Sequence, residues 1–172
     1  MNTPARKQLE LFNEDCQETL ANLADDSIDL TVTSPPYDNL RDYNGSNQFW
    51  CEDTWQAILA ELYRTTKPGG VVVWVVGDAT IAGGETGSSF KQALYAIDCG
   101  FNLHDTMIYE KNTSSFPARR NSARYTQIFE YMFIFSKGAP KTGNLICDKP
   151  NKWAGHTNWG KNTQRGKDGA LV

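Results

Sequence analysis

Residues Val71–Val76 read Val-Val-Val-Trp-Val-Val, a β-rich run with no polar face. Such a strand is stable only where both faces are covered, as in a sheet with helices packed on each side. The run is six residues long, far short of the roughly 20 needed to cross a bilayer, so no transmembrane helix is expected. The first fifteen residues hold no apolar signal core, which points to a cytoplasmic protein. With 172 residues, 40% of them hydrophobic and 22% charged, the chain can bury the core of one ordinary domain and is not a disordered acidic tail.

Around that central strand the pattern alternates. Leu9–Phe12 reads as a short strand, followed by a helix carrying Cys16, Leu20 and Leu23. Ile28–Thr33 reads as a strand that stops at Ser34-Pro35-Pro36-Tyr37, because consecutive prolines end both ladder and helix. Trp55, Ile58, Leu59, Leu62 and Tyr63 form a helical stripe closed before Pro68-Gly69-Gly70. Beyond the central strand, Gly77-Asp78 and a glycine-rich loop precede a helix with Phe90, Leu94 and Ile97, capped by Ser88 or Ser89. Phe101–Glu110 and Thr126–Phe135 read as strands with no helix between them, which predicts an antiparallel hairpin. The expected fold is α/β: an open, mostly parallel sheet with helices on both faces and that hairpin at its end. Residues 1–138 hold these elements on this division. Residues 139–172 begin a basic, loop-rich region.

The four cysteines, Cys16, Cys51, Cys99 and Cys147, form no CxxC pair, and His104 and His156 lie far apart. Neither a zinc site nor a disulfide framework is expected. Net charge is -3, but residues 1–103 carry -9 and residues 104–172 carry +6. Only the second part of the surface is suited to meeting phosphates.

Ligands of open α/β sheets bind beyond the carboxyl ends of the strands. Asn13-Glu14-Asp15, Ser34-Pro35-Pro36-Tyr37 and Gly77-Asp78 all fall there. The prolines hold the Ser34 hydroxyl and the Ser34 and Pro35 carbonyls as fixed acceptors, with the flat face of Tyr37 beside them. A planar ring bearing an exocyclic NH2 group matches that arrangement.

Thr-Ser-Pro-Pro-Tyr resembles the catalytic motif of DNA amino-methyltransferases. "LFNEDCQETLANLADDSIDLTVTSPPY", "KPGGVVVWVVGD" and "ARYTQIFEYMFIFSKG" are similar, in order and spacing, to blocks of the beta-type, circularly permuted members. The resemblance spans residues 9 to 138. It implies that the α/β sheet is Rossmann-like, and methyl transfer from S-adenosylmethionine to an exocyclic amine of double-stranded DNA, with cytosine N4 favoured by the serine and adenine N6 as the alternative. Such enzymes act in DNA modification and restriction-modification. Ser34, Pro35, Pro36 and Tyr37 would then be catalytic. Asp15, Cys16, Ser34 and Asp78 would bind the cofactor, and Tyr37, Phe129 and Tyr131 would line a pocket for a flipped base. Lys111, Arg119, Arg120 and Arg124 would contact DNA. The family's carboxyl-terminal FxGxG-like cofactor turn has no counterpart here. A truncated chain, a half completed by another chain or by self-association, or a non-catalytic DNA-binding remnant are the expectations that follow.

Overall fold

The computed structural model describes residues 9–38, 45, 49–112, 125 and 127–143. Contacts divide the chain into two compact units, Met1–Thr142 and Gly143–Val172. The first contains every element below: α1 (Cys16–Asn22), β1 (Ile28–Thr33), α2 (Glu52–Thr65), β2 (Thr66–Val76), β3 (Thr80–Ile81), β4 (Gly84–Glu85), α3 (Ser88–Asp98), β5 (Asn102–Glu110) and β6 (Phe129–Ser136).

The main sheet has the order β1-β2-β6-β5. β1 pairs with β2 in parallel, while β6 runs antiparallel to both β2 and β5. Three of the four strands therefore share one direction and β6 alone is reversed. The α/β class and the terminal hairpin are as the sequence pattern implied. The glycine-rich loop contributes a second, two-stranded ribbon, β3–β4.

Leu9–Phe12 is not a strand. Leu9, Leu11 and Phe12 are 81%, 86% and 59% exposed. Their alternation resembles a strand pattern, but none of the described strands pairs with them, and pairing is what a strand needs. The hairpin strand begins at Phe129 rather than Thr126.

The central strand explains the core. Val72, Trp74 and Val76 alternate onto one face of β2 and are at most 1% exposed. They pack with Leu59 and Leu62 of α2, Ala93 and Ala96 of α3, and Phe133 and Phe135 of β6. The stripe of α2 read from the sequence is the buried one: Trp55, Ile58, Leu59 and Leu62. On the opposite face of β2, where the sequence pattern implied a second layer of helices, Val71, Val73 and Val75 are only half-buried and lie outside the core that α1, α2 and α3 share with Val72, Trp74 and Val76. At the β1 edge, Leu30 and Val32 are 59% and 66% exposed. Among the described residues no helix is long and apolar enough to cross a membrane.

One polar contact sits inside this core. Trp74 Nε1 donates to Gln92 Oε1 at 2.9 Å, with both side chains fully buried. It ties α3 to the central strand and satisfies an indole N–H that has no access to water. Gln92→Leu keeps the volume and strands that N–H. It is expected to lower stability by about 1–3 kcal/mol, read as a shifted urea midpoint with an unchanged slope. An unshifted midpoint would contradict this role.

Candidate active site at the carboxyl edge of the sheet

The register brings three segments to one edge. β1 ends at Thr33 opposite Trp74, β2 ends at Val76, and Val76 faces Tyr131 at the start of β6. Ser34–Asp38, Gly77-Asp78 and Phe129–Tyr131 are therefore neighbours.

Ser34 is exposed at the mouth, while Pro35 is buried behind it. Tyr37 is 8% exposed, and a Cβ at Gly77 would lie 3.5 Å from its Cδ2. Its ring thus packs on the backbone where β2 ends. The Ser34 Oγ and Tyr37 Oη atoms are 2.7 Å apart. Tyr37 Oη donates to Glu130 Oε2 at 2.8 Å, and Lys111 Nζ lies 2.5 Å from Glu130 Oε1. A buried chain of polar groups thus runs from Lys111 to the exposed serine.

Glu130 alternates with Phe129 and Tyr131 along β6, so it projects to the other face. Phe129 and Tyr131 form an edge-to-face pair at 5.4 Å, and Phe90 meets Tyr131 at 5.0 Å. The structure joins Phe129 to Tyr131 and joins Tyr37 to Glu130. Burial, with smaller contributions from Glu85 and Asp78, raises the Tyr131 phenol above its ordinary value. Tyr131 is therefore neutral around pH 7.

Asp78 faces the start of α3. The helix is preceded by Gly87 in the left-handed conformation, φ 65°, which provides no capping side chain. Asp78 supplies the cap from a distance: Oδ1 accepts from Ser89 N at 2.9 Å and Oδ2 from Ser89 Oγ at 2.5 Å. The Thr86 and Ser88 hydroxyls each lie 2.7 Å from Asp38 Oδ2, and 3.4 and 3.2 Å from Asp78 Oδ1. Asp38 itself has φ 45°, a backbone state that Asp tolerates better than most residues. Asp38, Trp50, Trp55, Thr86, Ser88 and Lys91 line a cleft beside this network.

Asp15 caps α1, with Oδ1 accepting from Gln17 N at 2.8 Å, and remains exposed. Burial first, and Asp15 second, raise the Cys16 thiol, which stays protonated near neutrality. Lys111 is committed to Glu130. Arg119, Arg120 and Arg124 lie outside the described residues. Among the described residues no group of three or more His, Cys, Asp and Glu side chains is placed to hold a metal ion.

Glu130 carried no sequence signal as a site residue, and Asp38 only a positional one. Glu130 stands 93 positions from Tyr37, with no local pattern to join them. For Asp38, its place directly after Ser-Pro-Pro-Tyr was the available hint.

The fold is α/β, with a hydrogen-bonded serine–tyrosine pair at the carboxyl edge of its sheet. The chain belongs to the DNA methylase family, whose model matches residues 28–169. It is 62% identical over 151 residues to the orphan methyltransferase M.BamHII of Bacillus amyloliquefaciens, covering 88% of this chain and 54% of that protein. It is 30% identical over 154 residues to the type II beta methyltransferase M.BslI of Bacillus sp. strain NEB-606, covering 78% of this chain and 17% of that one. The chain thus spans about half of the first relative and less of the second. Its fold matches PvuII DNA methyltransferase (cytosine-N4-specific) with a TM-score of 0.62 at 24% identity, over 74% of this chain and 49% of that one. A candidate DNA modification methylase of Thermus thermophilus, solved with S-adenosylmethionine, matches at TM-score 0.56 and 26% identity, over 80% and 54% of the two chains.

The Asp78 geometry is testable by stability. Asp78→Ala removes the cap of α3 and leaves the Ser89 N–H without its acceptor. A loss of about 1–2 kcal/mol is expected, measured by thermal or urea unfolding. A variant as stable as the parent would refute the capping role.

Proposed function

We propose that this chain is the catalytic part of an S-adenosylmethionine-dependent DNA amino-methyltransferase acting on cytosine N4 in double-stranded DNA, in the cytoplasm. The observation that carries the proposal is Ser34: an exposed hydroxyl at the carboxyl edge of the sheet, backed by a buried proline and by Tyr37. Adenine N6 is the alternative target.

A base amine is a weak nucleophile because its lone pair is delocalised into the ring. Hydrogen bonds from the amine to Ser34 Oγ and to a Ser34 or Pro35 carbonyl favour a tetrahedral nitrogen with a localised lone pair. Pro35 and Pro36 keep those acceptors in place before the base arrives, so the chemistry is one of positioning and fixed dipoles. The amine lies inside the duplex, so the base flips out at a cost of a few kcal/mol. Stacking on an aromatic ring offsets about 1–3 kcal/mol of that. Tyr37 beside Ser34 and the half-buried pair Phe129 and Tyr131 are the rings proposed for it. Arg119, Arg120 and Arg124 are proposed to meet phosphates, while Lys111 is held by Glu130 instead.

S-adenosylmethionine supplies the electrophilic methyl group when bound. We assign its adenosine end to Asp15, Cys16, Ser34 and Asp78. Asp15 is an exposed carboxylate able to accept from an adenine amino group, with Cys16 and Ser34 beside the same edge in our assignment. Asp78 would contribute from behind the α3 start, where its hydrogen bonds already hold it. We assign the methionine end to residues outside the 172 of this sequence. The place of β1 at one end of the sheet order supports that assignment, since an unpaired strand edge is a template for a further strand. Isothermal titration of this chain alone with S-adenosylmethionine is expected to give weak but measurable binding, so that methyl transfer is read at saturating cofactor. Tight binding would show that the cofactor site is complete within these 172 residues.

The catalytic assignment is tested with unmethylated duplex DNA and methyl-labelled S-adenosylmethionine. Incorporation by the parent chain is expected to fall at least 100-fold in Ser34→Ala, in the range seen when one preorganised polar contact is removed, with unfolding unchanged. Undiminished incorporation by Ser34→Ala would overturn it.

A further inference from the structure

The buried chain behind Ser34 carries a consequence for which way its hydroxyl points. Glu130 pairs with Lys111 and, as a carboxylate, has no proton to donate. A tyrosine hydroxyl has one proton, and that of Tyr37 is given to Glu130 Oε2 at 2.8 Å. The Tyr37 oxygen then faces Ser34 Oγ, 2.7 Å away, with lone pairs only. That contact is a hydrogen bond only if Ser34 supplies the proton. The single hydroxyl proton of Ser34 is thus turned inward, and its lone pairs face outward.

We infer that Glu130, held by Lys111, is a positioning residue. Acting through Tyr37, it makes Ser34 Oγ an obligate acceptor and thereby selects an amino group over a carbonyl at the base position. The inference rests on the proposed role of Ser34 in receiving the base amine. A serine hydroxyl left to itself rotates and serves as donor or acceptor. One locked as acceptor suits N4 of cytosine and opposes O4 of a uracil or thymine ring, where two acceptors would meet. Burial makes the lock firm, because Glu130 is 9% and Tyr37 8% exposed and water competes poorly for their bonds.

Glu130→Gln reverses the chain. Lys111 requires an acceptor and holds the amide oxygen, which turns the amide NH2 toward Tyr37. Tyr37 then passes its proton to Ser34, and the serine proton points outward at the base. Removing Lys111 as well, in Lys111→Met with Glu130→Gln, frees the amide to turn its oxygen toward Tyr37 and restores the original direction.

Proton NMR of the full chain reads the direction without any turnover. In the parent, the Tyr37 hydroxyl proton is expected to show through-space contact with the Glu130 side-chain protons. In Glu130→Gln it is expected to show contact with the Ser34 β-protons. The same variants are then assayed on unmethylated duplex DNA with labelled S-adenosylmethionine. Glu130→Gln is expected to lower kcat about 100-fold, with KM for DNA within about twofold and the melting temperature unchanged. The double variant is expected to recover at least tenfold over Glu130→Gln. A merely structural Glu130 would lose melting temperature and show no recovery. A Tyr37 proton directed at Ser34 in the parent, or transfer by Glu130→Gln equal to the parent, would overturn the inference. Normal transfer by Ser34→Ala would instead overturn the reading beneath it, while the NMR result still decides the direction of the chain.

Discussion

The central strand Thr66–Val76 places everything at the site. It pairs in parallel with β1 on one side and antiparallel with β6 on the other. Parallel pairing puts the carboxyl end of β1 beside its own, and antiparallel pairing puts the amino end of β6 there too. One strand of Val and Trp thus gathers the Ser-Pro-Pro-Tyr loop, Gly77-Asp78 and Glu130 at a single edge. Burial of Val72, Trp74 and Val76, each at most 1% exposed, fixes that register, because a slip of one residue would turn the core face outward.

Polar contacts then lock what the register assembles. Tyr37 to Glu130 spans 93 positions and fastens the first loop to the last described strand. Asp78 anchors α3 through Ser89, and Asp38 reaches Thr86 and Ser88. These bonds join four segments that have no covalent reason to stay together. A site that works by holding acceptors in place, rather than by covalent chemistry, depends on that rigidity.

Much of this was legible in the sequence. The stripe from Trp55 to Leu62 demands a helix against the central strand and has one, whereas the apolar run implied cover on both faces and only the face of Val72, Trp74 and Val76 is fully buried among the described residues. Two prolines after a strand demand a stiff loop. Leu9–Phe12 misled because alternation reports only which side chains would share a face, whereas a strand needs a neighbour. The cap of α3 was expected from Ser88 or Ser89 and came from Asp78, ten positions before Ser88, with Ser89 as its hydrogen-bond donor. Glu130 was invisible because its partners are brought to it only by sheet register. In sequence it is one charged residue in a run of aromatics.

The central claim is that an acceptor-only serine at the sheet edge receives the amino group of a flipped cytosine. Its most direct measurement is mass spectrometry of nucleosides from DNA incubated with the chain and S-adenosylmethionine. The account predicts N4-methylcytosine, absent when the cofactor is omitted. N6-methyladenine, or 5-methylcytosine formed at ring carbon, would contradict it.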